Sequence, residues 1–386
     1  MRRSIYAGAG AFLVALIASH SRSTPYNNFV LLADAFSHGH VAINWFDDAI
    51  DALPYRGQYY VIEAPLPAVL LLPFVKFFGT SVNQTLLAVV LTAVAIGAAW
   101  ELCERLGVSV RANAWLCAFL LAGTDLLWCG MLGDVWFVAH VSSVCFTLLA
   151  LVEITGHRRG WLVALWAICA FESRFSTICA LPVYAYLLTA STEDGKGCAT
   201  ARRRLLSFVL TLMPAAILWV AYNEVRWGTI TDLGYTAWYH QDQVGQPSGS
   251  PFRLENLPYQ LQSFFMQLPE WLGTYPWVSP PITGIALTWT SPALILSISA
   301  RRPRRLVLAM WVATILVAAP SFLYYVNGFA QFGMRHALDF EPFLFALMAM
   351  GVRNTLPIWG KALIAYSVTV GLWGVWFWNS FLRTSF

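Results

Sequence analysis

Apolar runs of about 20 residues recur along the whole chain, each the length an α-helix needs to cross a bilayer. In hydrocarbon every backbone N–H and C=O must find its partner within the protein, so only helices and closed barrels span. The short alternating segments of an outer-membrane barrel are absent from the sequence. The pattern therefore predicts an all-α polytopic membrane protein. Residue usage agrees: only 11% is charged, against about a quarter in a soluble domain. The 18 Trp, 15 Tyr and 25 Phe suit a chain with two membrane–water interfaces to line. No stretch is long enough to fold as a separate soluble domain, so residues 1–386 are read as a single transmembrane domain.

The predicted spans are 5–21, 83–103, 112–131, 136–155, 161–173, 175–191, 205–222, 282–300, 306–325, 338–352 and 360–378, about eleven helices in all. The start, MRRSIYAGAGAFLVALIAS, has the basic tip and apolar core of a signal peptide, but no small-x-small cleavage site follows. It is read as an uncleaved first span. With the N-terminus in the cytoplasm and the C-terminus outside, most of the 24 Lys and Arg fall in short cytoplasmic segments, as the positive-inside rule requires. The run APLPAVLLLPFVKFFG (64–79) is apolar but holds Pro65, Pro67 and Pro73. Counting it as a span would put the basic segment CERLGVSVR outside, so it is read as an interfacial or re-entrant helix. Two long outer segments follow from this layout, 22–82 and 223–281. Most of the 20 acids lie outside or at outer span ends. Acids contribute little to orientation, so chemistry on the outer face is the simpler reason for their placement.

The densest acidic cluster is NWFDDAIDALPYRGQYY (44–60), with Asp47, Asp48 and Asp51. On a helix all three approach one face, an arrangement that suits a general base beside a group holding a hydroxyl or a cation. Asp and Pro54 are also turn residues, so the stretch equally fits a solvated turn. In AQFGMRHALDF (330–340), Gln331, Arg335, His336 and Asp339 sit among apolar neighbours between two spans. Arg335 and Asp339 are four apart, the spacing of a helical ion pair, and an arginine at headgroup depth is a natural fork for a lipid phosphate. YNEVRWGTITDLGY (222–235) adds Arg226, either a second such cation or a snorkelling anchor. GDVWFVAH (133–140) and FESRF (171–175) put Asp134, His140, Glu172 and Arg174 at outer helix ends. A lone imidazole such as His140 is more often a satisfied bundle histidine than a ligand.

The seven cysteines lie mostly inside apolar runs and form no CxxC pair, so no metal site is expected from them. No Walker A loop, GxGxxG, HExxH or GxSxG is present, which leaves a soluble nucleotide donor without a recognisable site. Outer basic residues are too sparse for nucleic acid.

With these residues in view, the chain resembles membrane glycosyltransferases of the GT-C class, in particular the polyprenyl-phosphate-dependent aminoarabinose and protein O-mannosyltransferases. LADAFSHGHVAIN followed by RGQYYVIEAPLPAVLLLP is similar to that group's first outer loop. GDVWFVAH, SRFSTICALP, YNEVRWG, TSPAL and QFGMRHALDF resemble segments of uncharacterised bacterial membrane proteins assigned to the class. The resemblance implies a GT-C bundle with juxtamembrane helices in a long first outer loop. It implies a sugar donor on a polyprenyl phosphate at the outer leaflet of a bacterial inner membrane, and a lipid, glycan or protein acceptor. A first-loop aspartate would deprotonate the acceptor hydroxyl, the sugar would be transferred with inversion, and arginines would hold the departing phosphate. An arginine does this without a metal, and a divalent cation is left open. The aminoarabinose and mannosyl enzymes carry an Asp-Glu pair just after the first span, where this chain reads TPYNN (24–28), and their Lys in the proline-led segment is missing, since Glu63 and Ala64 precede Pro65. Asp51 is therefore the first choice for the base and Asp48 the second. Arg335 is the first choice for the phosphate, with Arg226 and Arg174 behind. Tyr60, Glu63, Asp134, His140, Gln331 and Asp339 complete the expected binding set. A transporter or flippase of a lipid-linked saccharide, or an inactive scaffold of the same fold, are the alternatives. A transporter would place charges along mid-membrane helices with signs of a repeat, and neither is evident in the sequence.

Overall fold

The computed structural model describes residues 2–44, 52–189, 198–353 and 355–382. Helices α1 (Arg2–Ser19) and α2 (Asn28–Ser37) precede a hairpin of β1 (Ala52–Tyr55) and β2 (Gln58–Val61), and α3 (Leu66–Phe78) follows. Next come α4 (Gln84–Arg105), α5 (Val110–Ala122), α6 (Leu126–Leu132), α7 (Val135–Thr155), α8 (Gly160–Phe171), α9 (Leu181–Thr189) and α10 (Cys198–Trp227). The second long connection carries α11 (Gly234–Gln241), α12 (Leu257–Met266) and the two-residue strands β3 (Glu270–Trp271) and β4 (Val278–Ser279). Helices α13 (Leu287–Thr290), α14 (Arg304–Leu323), α15 (Glu341–Val352) and α16 (Ile358–Phe377) lie beyond it. The protein is thus an all-α polytopic membrane protein with two small hairpins.

Among the described residues, five helical segments are long and apolar enough to cross a membrane: Gln84–Arg105, Val135–Thr155, Ala199–Trp227, Arg304–Leu323 and Ile358–Leu382. Helices α5 and α6, bent by 49° at their break, make a sixth if taken together. Other apolar runs form shorter elements. The 12 residues of α8 rise about 18 Å, well short of a hydrocarbon core about 30 Å thick. The run 282–300 is divided into α13 and a 3₁₀ stretch, Pro292–Ser299, by the proline. The 64–79 run becomes α3, only 13 residues long, with Phe74, Phe77 and Phe78 exposed on its outer side. That geometry suits a helix lying at an interface.

Small residues let α1 and α4 cross closely. A Cβ on Gly8 of α1 would stand 3.0 Å from the Ala93 carbonyl of α4, and one on Gly97 would stand 3.3 Å from the Ser4 carbonyl. Backbones approach this closely in lipid only where side chains are absent. Helix α4 packs in turn on α7, and α7 on α8. Of the five long segments α7 is the most enclosed. By contrast, α10 touches α8 and α9 and turns most of its apolar surface outward.

The hairpin joins the two long connecting segments. Leu53 and Tyr60 are cross-strand partners on one face, and both are buried with Ile62 against Trp227 at the end of α10. The Glu172 carbonyl, just past α8, accepts from the Leu66 N–H at 2.7 Å, fixing where α3 starts. Between these two anchors lies Glu63. The aspartates Asp47, Asp48 and Asp51 fall outside the described residues; β1 begins at the next position, Ala52.

Candidate functional site

A cavity of about 870 Å³ opens where the start of α7, the turn after α8, helix α11 and the segment 324–336 converge. Six charged side chains line it: Arg22, Arg174 and Arg335, and Glu63, Asp134 and Asp242. The same walls hold His140 and His336, and an aromatic side made of Tyr26, Trp136, Tyr235, Trp238, Tyr324 and Tyr325.

Helix α7 supplies one wall from a single face. Asp134 occupies its N-cap position, and Phe137 and His140 follow one turn apart. Asp134 accepts the Thr24 hydroxyl hydrogen, which brings the chain after α1 against the start of α7. His140 is almost fully enclosed, and its Nδ1–H donates to Asp339 Oδ1 at 2.8 Å.

The floor comes from the segment after α14. Arg335 to Asp339 form a 3₁₀ turn, with three residues per turn instead of 3.6. Positions four apart do not stack on such a turn. Asp339 accordingly turns away from the cavity and takes Arg174 as its ion-pair partner, at 3.2 Å, with the Ser176 hydroxyl donating at 2.7 Å. Arg335 instead faces the cavity; its guanidinium donates to the Phe329 carbonyl at 2.9 Å and lies over the Phe137 ring. Arg174 reaches from Asp339 toward His336, with Nη2 3.5 Å from Nδ1. Burial and the Arg174 guanidinium together hold the His336 pKa well below the usual imidazole range. Burial pushes the Tyr235 phenol up to about 12, so it remains a hydroxyl.

The structure gathers six of the residues singled out from sequence on this one cavity: Glu63, Asp134, His140, Arg174, Arg335 and His336. Asp339 stands directly behind the wall as their support. Gln331 is buried beside the floor, its amide donating to the carbonyls of Thr283 at 2.7 Å and Asn327 at 2.9 Å. It shapes the loop and does not line the cavity. Arg226 and Tyr60 belong to a separate cluster under the hairpin. Arg226 pairs with Asp232 at 3.2 Å, donates to Asn223 at 2.9 Å and stacks over Tyr222 and Trp227. Tyr60 packs on the same tryptophan.

Several lining residues had no signal in the sequence. Thr24 and Tyr26 lie in the acid-free TPYNN stretch. Tyr235, Trp238, Tyr324 and Tyr325 come from segments far apart in the chain. Tyr324 stands edge-on to Tyr235 and Tyr325, and Tyr325 donates to Asp242. The abundance of Trp and Tyr in 223–281 was the nearest hint. Among the described residues no group of three His, Cys, Asp or Glu gathers in a way that could hold a metal ion.

The fold resembles that of a solved structure, the crystal structure of ArnT from Cupriavidus metallidurans bound to undecaprenyl phosphate. The TM-score is 0.55 and the identity 16%, over 94% of this chain. The chain spans 62% of the length of that protein. No protein-family model and no curated protein sequence matches. At this identity the likeness establishes the architecture alone, a polytopic helical fold.

Proposed function

We propose that this protein is a glycosyltransferase that moves a sugar from a polyprenyl-phosphate donor to an acceptor hydroxyl, with inversion, at the extracytoplasmic face of a bacterial inner membrane. The observation that carries the reading is the convergence of Arg174 and Arg335 on one cavity beside Glu63 and Asp134. A sugar leaving a polyprenyl phosphate transfers its bonding electrons to phosphate oxygen. Guanidinium forks aimed at that oxygen stabilise the charge as it develops. The aromatic side of the cavity offers flat apolar surface with hydroxyl and indole edges, suited to a saccharide ring. The fold it shares with a structure bound to undecaprenyl phosphate supports a polyprenyl-phosphate partner.

Within this proposal the acceptor hydroxyl loses its proton to a carboxylate, and Asp51 and then Asp48, in the segment just before β1, are the choices for it. The acceptor is a lipid, a glycan or a protein. The orientation, N-terminus in the cytoplasm, rests on the basic residues of the short loops.

The test is turnover. Purified protein in detergent or nanodiscs is given a panel of undecaprenyl-phosphate sugars and candidate acceptors, with Arg335→Ala, Asp51→Asn and Asp48→Asn in parallel. Transfer by wild type, lost in Arg335→Ala and in one aspartate variant, is expected. Binding or movement of the lipid-linked sugar across vesicles without transfer would identify a flippase instead. Full turnover by both aspartate variants would remove the base assignment.

A further inference from the structure

His140 and His336 line the cavity side by side, ring centroids 5.3 Å apart and planes at 70°. Their protonation pattern follows from their partners. Asp339 is a carboxylate already matched by Arg174 and the Ser176 hydroxyl, and a carboxylate only accepts. The His140 hydrogen therefore sits on Nδ1, where it is given to Asp339. In the neutral ring, Nε2 is left with the lone pair. His336 is in the opposite state. Its Nδ1 faces an Arg174 N–H, which can only donate, so Nδ1 holds the lone pair and Nε2 carries the hydrogen.

The two rings thus present one acceptor and one donor within a cavity whose anionic recognition is handled by guanidinia. A bare nitrogen lone pair repels phosphate oxygen. It needs a donor, and the complement of an acceptor beside a donor is a hydroxyl, which supplies both. We propose that His140 and His336 form a hydroxyl-reading pair that binds the saccharide part of the ligand, while Arg174 and Arg335 bind its phosphate. Asp339 is the positioning residue that sets both halves, since it holds the His140 tautomer and the Arg174 guanidinium at once. This inference rests on the proposed lipid-linked sugar substrate and divides that ligand between two sets of residues.

The experiment compares binding of bare undecaprenyl phosphate with binding of undecaprenyl-phosphate hexoses to full-length protein. His140→Leu and His336→Leu are expected to leave the Kd for the bare lipid phosphate within about twofold. They should weaken the best glycosylated lipid roughly 3- to 10-fold, the worth of a hydrogen bond. His140→Gln, whose Oε1 reaches to about where Nε2 sits, should recover part of the loss. Asp339→Asn should weaken both lipids, because it releases both halves. Thermal melts of each variant separate these effects from misfolding. Equal weakening of both lipids by His140→Leu and His336→Leu, or no weakening of either, would overturn the pair. A wild type that binds the bare lipid and no glycosylated one would overturn the pair and leave the phosphate site standing. A wild type that binds neither lipid would overturn the substrate reading and the pair with it.

Discussion

Thr24 gives its hydroxyl hydrogen to Asp134, across 110 positions of chain. The contact fastens the turn after α1 to the first residue before α7, at the rim of the cavity. Thr24→Val keeps the side-chain shape and removes the donor, and is expected to lower stability by about 1–3 kcal/mol. Thr24→Ser keeps the hydroxyl and should restore most of it. Thermal unfolding in one detergent measures both, and equal melting of Val and Ser variants would mean the hydrogen bond contributes nothing.

Arg226 and Arg335 should separate cleanly. Arg335→Lys retains the charge but loses the planar fork, so undecaprenyl-phosphate binding should weaken by about tenfold, roughly 1.4 kcal/mol. Arg226→Met should leave that binding nearly unchanged and cost stability instead, by roughly 3–5 kcal/mol, because it strands Asp232 in a buried site. If Arg226→Met abolished lipid-phosphate binding in protein that still melts like wild type, the assignment of Arg226 to the hairpin anchor would be wrong.

His336 makes stability fall on acidification. Its folded pKa lies well below the usual value, under the influence of burial and of Arg174, His140 and Arg335, with Asp339 opposing. Above a pH of about 6.5 both folded and unfolded chains hold a neutral imidazole. Below it the unfolded chain binds a proton that the folded one refuses, so unfolding becomes easier as pH drops toward the folded pKa. Melting temperatures at pH 7.5 and pH 5 should show the decline, and His336→Asn should make it shallower. An identical pH slope in the variant would exclude His336 as the source.

Gly133 ends α6 in the left-handed region, with φ 69°. A Cβ there would stand 2.5 Å from the Thr85 Cα, which is backbone and cannot swing aside. Gly133→Ala is expected to cost at least about 1–2 kcal/mol and to displace Asp134. Unchanged melting would show that the turn relaxes freely.

The class of fold was legible because hydrocarbon imposes a one-dimensional signature: run length and polarity are enough. The motifs at helix ends also pointed to Asp134, His140, Arg174 and Arg335 before their proximity was known. The pairing of these residues was not legible. Arg335 and Asp339 have the spacing of a helical ion pair, but the segment folds as a tighter turn, and Asp339 finds Arg174 at a separation of 165 positions. No local rule reports such a contact. Arg226 illustrates the reverse case: an interfacial cation reads the same whether it faces a ligand or a buried aspartate. The aromatic wall stayed hidden because each of its residues is unremarkable alone and gains meaning only from neighbours brought by other helices.

The hydrogen bond between His140 and Asp339 joins residues 199 positions apart, and that distance bears on biogenesis. Helix α7 enters the bilayer long before the ribosome has made its carboxylate partner. Until then the imidazole of His140 and the guanidinium of Arg174 lack the carboxylate that each takes in the finished bundle, a state each would leave by drawing in water or lipid headgroups. Closure of the floor by the 335–339 turn is therefore a late event in assembly. A chain stalled before this turn would leave His140 without its carboxylate, although α7 already packs on α4 and α8.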